Sequence, residues 1–218
     1  MNDEAEPARC AKQIPFETFA PLNALPFVRH AFTLRTAHDT KSDEFEGRFV
    51  VAHGFPSDAH ASAEQPHGNR AAVAGRGVRL TPHVDALVTR EPGLPLVVRC
   101  ADCAAVYVVD RQTPAIALIH SGRKGTLGNI VGETIQRMHR EFRTQPQNCL
   151  AVISPSIGPC HYEMDIWSGI ERQLHDAGLN EIHNPRVCTA CHLDRYFSYR
   201  AEKGKTGRML ALLALVSP

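Results

Sequence analysis

Two imidazoles and one thiol, each placed beside an apolar run, are the residues of this chain best suited to chemistry. They lie in Gln65-Pro66-His67-Gly68, Cys100-Ala101-Asp102-Cys103 and Ile119-His120-Ser121-Gly122. Imidazole and thiolate are both favoured zinc donors. Three protein ligands leave the fourth tetrahedral position to water or substrate, which marks a catalytic rather than a structural site. His67, Cys103 and His120 are therefore a candidate metal site for zinc, with copper as the other ion. Plainer readings exist for each residue. A histidine at a strand end is often hydrogen-bonded scaffold, and a cysteine in an apolar segment is often an inert small hydrophobe. A reading without metal makes Cys103 a nucleophile and His120 or His67 its base.

Other residues could support such a centre. Ser121 to Thr126 is rich in glycine and precedes a helical pattern. Its backbone amides, with Arg123, Lys124 and Gly125, suit an anion such as phosphate, although the GxxxxGK[ST] order is missing. A plain strand-to-helix turn with exposed basic residues accounts for it equally. Asp85 and Asp102 are candidate proton carriers, and turn or capping work accounts for them as well. Cys100/Cys103 and Cys188/Cys191 are both Cys-x-x-Cys pairs. They stand much further apart than the roughly 15–20 residues of a zinc ribbon, so Cys188 and Cys191 are expected to be structural or incidental. None of the twelve histidines forms His-x-His, which argues against multicopper laccase chemistry.

These side chains need strands to position them. Residues 94–99, 104–109 and 115–119 are short, valine-rich apolar runs of the kind buried on both faces of a sheet. Leu127, Ile130, Val131, Ile135, Met138 and Phe142 recur at helical spacing and predict an amphipathic helix. A strand over 150–153 and a helix marked by Ile166, Ile170 and Leu174, closed by Gly178, follow. Upstream, 31–35 and 47–52 read as strands, 36–47 as a polar loop, and 59–77 shows no period. Periodicity does not choose helix or strand for the apolar tail, 209–216. The expected fold is α/β, a single domain over 30–218 with a mixed β-sheet core covered by helices. Residues 1–29 form a lead-in packed on it.

Composition narrows the setting. A formal net charge of +1 over 218 residues provides no basic field for nucleic acid. The longest apolar stretch is too short to cross a bilayer. The first sixteen residues carry Asp3, Glu4 and Glu6 and no apolar block, so a cytoplasmic location is expected. Seven cysteines, an odd number, fit thiols or metal ligands better than a disulfide framework.

Several motifs occur together and in order: QPHGNR at 65–70, VDALVT at 84–89, ADC at 101–103 and IHSGRKGTLGNI at 119–130. SIGPCHYE at 156–163 and FSYRAEKGKTGRM at 197–209 complete the set. Through them the chain resembles the bacterial polyphenol oxidase/laccase-domain proteins, the YfiH or DUF152 family, from about residue 29 to the end. The resemblance implies a YfiH-like α/β fold and a zinc ion on His67, Cys103 and His120. It also implies purine nucleoside chemistry: phosphorolysis of adenosine, inosine and methylthioadenosine, and deamination of adenosine. Some members of that family have been named copper-dependent polyphenol oxidases. On this basis Cys103, Asp102, Arg35 and Lys124 are the expected catalytic residues, with Arg35, Arg123, Lys124 and Gly125 around phosphate. Arg35 rests on AFTLR at 31–35, which is similar to the family's F-[ST]-T-R. The expected partners are a purine nucleoside and phosphate, with neither nucleic acid nor membrane, and a homodimer is left open. The chain departs from the family's HAGWRGT loop, where Arg123 replaces tryptophan and Lys124 replaces arginine. Lysine keeps the charge but loses the planar two-pronged grip on an anion. That departure keeps a non-catalytic binding protein among the readings.

Overall fold

The apolar tail is a strand, β12 (Met209–Leu215), and all seven of its residues are buried. It pairs antiparallel with β2 (Val28–Thr33) on one side and β7 (Leu96–Cys100) on the other. A strand covered on both faces keeps no polar side, hence the unbroken apolar run. The computed structural model describes residues 14–37 and 40–216, so the start of the expected lead-in, 1–13, lies outside the described residues.

The mixed sheet expected from the sequence is a pair of six-stranded sheets. The first runs in the order β1 (Phe16–Glu17), β2, β12, β7, β3 (Ala61–Ala63), β5 (Leu80–Thr81). The second runs β11 (Glu181–His183), β10 (Cys149–Ile153), β8 (Ala104–Asp110), β9 (Ala115–Ser121), β6 (Ala86–Thr89), β4 (Ala71–Val73). Phe32, Leu96 and Leu213 of the first sheet and Tyr107, Leu118 and Val152 of the second share one core between them. The Tyr107 hydroxyl crosses this core and donates to the Ala31 carbonyl at 2.9 Å. Helices α4 (Ile130–Phe142) and α5 (Ile166–Asp176) cover the outer face of the second sheet. A short helix, α1 (Ala20–Asn23), leads into β2, and the outer face of the first sheet is covered by α2 (Asp43–Ala52), giving four layers. No helix among the described residues is long and apolar enough to cross a membrane.

Three local expectations change. Residues 47–52 are not a strand but the second half of α2. Ser42 caps that helix, accepting from the Phe45 amide at 3.2 Å, and Asp43, Glu44 and Glu46 fill its first turn. Phe45, Phe49 and Val50 then bury one face, a helical spacing hidden by the surrounding charges. Within the glycine-rich loop lies a short helix, α3 (Arg123–Leu127), and Leu127 is exposed there instead of extending the apolar face of α4. The boundary between lead-in and domain also shifts. Part of it, β1, pairs with β2, which itself starts at Val28, before the expected boundary.

The strand order explains the site. β3, β5 and β7 lie side by side; β3 is parallel to both neighbours, so all three end at the same edge of the first sheet. After each, the chain crosses to the second sheet, to β4, β6 and β8 respectively. His67, Asp85 and Cys103 sit on these three crossings.

The second sheet's partner is anchored to α2 by a buried charge cluster. Glu46 accepts from Ser62 and Arg99, and His60 Nε2 lies 3.0 Å from its carboxylate. Burial alone would raise the Glu46 carboxyl, but His60, Arg99 and Ser62 outweigh it and hold it down at about 2. Glu46→Ala is expected to cost about 3 kcal/mol in chemical denaturation, the low end for removing one partner of a buried pair, because Arg99 is partly solvated. The folded pKa lies below the unfolded one, so this contribution is complete above about 4.5 and is lost as pH falls towards about 2. Wild type and Glu46→Ala should therefore converge in stability over that acid range.

Candidate metal centre and adjoining cavity

His67 is held in an unusual backbone conformation, with φ of 65°, by hydrogen bonds to its flanks. Its amide donates to Asp85 Oδ1 at 2.9 Å, and the Gly68 amide donates to Asp85 Oδ2 at 2.7 Å. On the preceding side, the Gln65 side chain pairs with both main-chain groups of Arg99, at 2.7 and 2.9 Å, beyond the end of the β3–β7 pairing. Cys103 follows Asp102, whose φ of 81° turns the chain out of β7 and into β8. Cys100 and Cys103 point apart: Cys100 is in the inter-sheet core, while Cys103 is at the crossing. His120 is the last residue but one of the antiparallel strand β9, opposite Ala105 of β8.

These three positions converge. Donor atoms of His67, Cys103 and His120 lie within 4.8 Å of one another, and the two imidazole rings meet edge to face at 4.8 Å. Asp85, with no exposed surface, accepts a third hydrogen bond from His120 Nδ1 at 2.9 Å. A carboxylate accepts only, so Nδ1 carries the proton and Nε2 is left as the donor atom for the cluster. Burial penalises a charged sulfur at Cys103, yet the facing imidazoles of His120 and His67 outweigh it and hold the thiol down at about 6. Burial likewise works against charge on His120, but Cys103 and Asp85 raise it to about 9. The half-buried sulfur of Cys103 is thus biased towards its charged form, and a bound cation would take the place of the second proton on His120.

The other expected residues fall in different places. Asp102 is buried and both its oxygens are used: Oδ1 accepts from Thr189 Oγ1 at 2.7 Å and Oδ2 from the Arg200 amide at 2.6 Å. Arg35 pairs with Glu202 at 2.6 Å and lies over the Phe197 ring, and it lines neither cavity beside the cluster. Arg123 faces Glu163 at 3.7 Å, and Lys124 is exposed on α3, outside the lining of both cavities. The glycines of this segment have a packing reason. A Cβ on Gly122 would stand 2.5 Å from Cys103 Sγ, and one on Gly125 would stand 3.0 Å from the Gly68 carbonyl.

His67 and Cys103 line a cavity of about 640 Å³ with Asp102, Ile157, Tyr162, Ile166, Tyr199, Arg200 and Lys203. They also line a smaller one of about 200 Å³ with His120, Gln65, Arg99 and Arg208. A larger hollow of about 780 Å³ beside α4 and α5 touches none of the cluster and lacks its chemistry. Tyr162, Tyr199, Arg200 and Lys203 were not singled out from the sequence. Their only signal was membership of the stretches 156–163 and 197–209.

Fold and site together define a four-layer α/β protein with a His-Cys-His centre at the seam of two sheets. The chain belongs to the laccase-domain family, also called YfiH or DUF152; the family model described as multi-copper polyphenol oxidoreductase laccase matches residues 38–165 and 161–216. A Bacteroides thetaiotaomicron protein named purine nucleoside phosphorylase is 34% identical over 160 residues, 59% of this chain and 59% of that protein. A Corynebacterium glutamicum protein of the same name is 31% identical over 194 residues, 74% of this chain and 76% of its own length. The crystal structure of YlmD from Geobacillus stearothermophilus has a TM-score of 0.85 at 22% identity, covering 94% of this chain and all of that one.

Asp85→Asn is expected to lower divalent-metal affinity at this centre 10–100-fold in chelator competition, with the circular dichroism spectrum unchanged. Gly122→Ala, which displaces the Cys103 sulfur, should cost at least as much. Wild-type affinity in both variants would remove Asp85 and Gly122 from the positioning of the ligands.

Proposed function

We propose that this chain is a zinc-dependent enzyme of purine nucleosides, splitting the base from the sugar with phosphate. The observation that carries the reading is the 640 Å³ cavity, where the His67/Cys103 cluster, two tyrosines and two cations face one space. That volume falls within the roughly 300–1,000 Å³ typical of small-molecule sites. The names of the relatives point to the same substrate class.

His67, Cys103 and His120 would hold the ion. Two imidazoles and a thiolate suit zinc with its fourth position open, and they suit copper as well. A divalent ion held by them would supply Lewis acidity. The chain's own groups do the rest. Tyr162 and Tyr199 offer ring faces to the base, and Ile157 and Ile166 exclude water around it. Arg200 and Lys203 hold phosphate in place, taking the role the sequence suggested for Arg35 and Lys124. Arg35 acts behind them. It pairs with Glu202, which also accepts from the Ser198 amide and Thr206, and so braces the turn that presents Arg200 and Lys203. A phosphate oxygen then bonds to C1′ as the C1′–N9 bond breaks, and the base leaves with that electron pair and takes up a proton. Adenosine deamination, the other activity the resemblance implies, would use the same pocket with water as reactant and ammonia as product. The cytoplasm is the proposed location, since seven cysteines fit thiols and metal ligands better than a disulfide framework.

A second reading, a metal-free thiol hydrolase, is favoured by the thiolate character of Cys103 beside His120. Zinc-loaded protein incubated with adenosine or inosine and phosphate should yield free base and ribose 1-phosphate, followed by chromatography. Cys103→Ala should lose activity more than 100-fold, and Arg200→Ala or Lys203→Ala should raise KM for phosphate several-fold. Absence of turnover on every nucleoside refutes the proposal. Full activity in metal-stripped protein, abolished by iodoacetamide, transfers the case to the thiol hydrolase.

A further inference from the structure

A second group of donors gathers outside the centre described above, on two segments of which one walls its cavity. One donor atom from each of Cys160, His161, Cys188 and Cys191 lies within 4.8 Å of the others. His161 Nδ1 stands 3.3 Å from Cys160 Sγ, 3.5 Å from Cys191 Sγ and 3.8 Å from Cys188 Sγ, and Cys160 Sγ stands 3.6 Å from Cys191 Sγ. Tetrahedral zinc, with bonds of about 2.3 Å to sulfur and about 2.0 Å to nitrogen, sets edges of about 3.8 Å between sulfurs and about 3.5 Å between sulfur and nitrogen. The measured separations are close to those edges.

We propose that Cys160, His161, Cys188 and Cys191 form a second zinc site, of Cys3His type, closed by four protein ligands and structural in role. The local backbone is built for it. Cys188-Thr189-Ala190-Cys191 turns tightly, with the Cys191 amide donating to the Cys188 carbonyl at 3.2 Å, so both sulfurs face one point. The Gly158 amide, from the other segment, donates to the Cys188 sulfur at 3.2 Å. Such amide contacts stabilise the thiolate form that a metal requires. Three sulfurs this close repel once ionised; a divalent ion between them removes the repulsion, and their protons are released as it binds. A Cys160–Cys191 disulfide is the competing use of the same atoms, but it gives Cys188 and His161 nothing to do.

The site joins what the cavity needs joined. One segment carries Ile157 and Tyr162 of the cavity wall, and Glu163, which faces both Arg123 and Arg200. The other carries Thr189, the hydrogen-bond donor to Asp102 next to Cys103. The ion clips these segments together, and the inference stands whether or not the nucleoside reading holds.

The test uses the full chain produced with zinc and purified without chelators. The His67→Ala/Cys103→Ala variant, which lacks the first centre, should retain about one zinc per chain, with three sulfur and one nitrogen neighbours by X-ray absorption. Cys160→Ser/Cys191→Ser should hold one zinc fewer than wild type. Should that variant fold poorly, cobalt titration of zinc-stripped His67→Ala/Cys103→Ala supplies the reading: intense thiolate-to-cobalt charge-transfer bands support the site. Zinc-free His67→Ala/Cys103→Ala, cobalt spectra without thiolate bands, or a Cys160–Cys191 disulfide in the freshly purified protein would each overturn it.

Discussion

The chemistry of this protein depends on one topological constraint, the repeated passage of the chain from one sheet to the other at a single edge. Three neighbouring, co-directional strands end together, and each connection must leave the first sheet at the same place. Residues far apart in sequence are thereby stacked at one seam: His67 from the first crossing, Asp85 from the second, Cys103 from the third. β9 returns antiparallel through the second sheet and delivers His120 to the same point. The sheets themselves are held face to face by an apolar core, so the seam inherits the rigidity of the whole sandwich.

Within that seam, electrostatics organises a cluster that burial alone would forbid. Asp85 is fully enclosed and its two oxygens serve three donors, two backbone amides that shape the His67 turn and the ring of His120. One buried carboxylate thus fixes both histidines, and both histidines stabilise the thiolate of Cys103. Removing water would otherwise penalise each of these charges; their mutual contacts reverse the sign at Cys103 and His120. The nearby carboxylate of Asp102 has the opposite fate. Its oxygens tie Thr189 and the Arg200 amide to the Cys103 turn, which makes it a brace and not a free proton carrier.

The departures of this chain from its family's glycine loop look different once packing is considered. Arg123 and Lys124 replace tryptophan and arginine in a segment whose glycines are needed for close approach to Cys103 and Gly68. The loop is thus primarily the wall that lets the crossings come together. Positive charge beside the cavity comes from elsewhere, from the turn that contains Arg200 and Lys203, braced by Arg35 through Glu202. The substitutions leave the cluster geometry intact because neither side chain forms part of it.

The sequence by itself determined the residue types of the centre and most of the elements that carry them. Cys103 and His120 stood out because reactive side chains adjoined apolar runs, and those runs, β7, β8 and β9, are the strands expected from their composition, whereas His67 stood out by type and motif in a stretch without period. The amphipathic faces of α4 and α5 were legible for the same reason: period and burial agree along a single element. Where local pattern and burial disagreed, the sequence misled. α2 was hidden because its apolar face is interleaved with charges that turn inward to His60 and Arg99, and β12 was ambiguous because a strand buried on both faces has no period at all. Only the tertiary structure decided which distant groups meet. That Asp85 orients His120, that Arg35 faces Glu202 and not the cavity, and that Cys188 and Cys191 join Cys160 and His161 all depend on strand order. Strand order arises from non-local pairing between segments, and no local spacing along the chain encodes it.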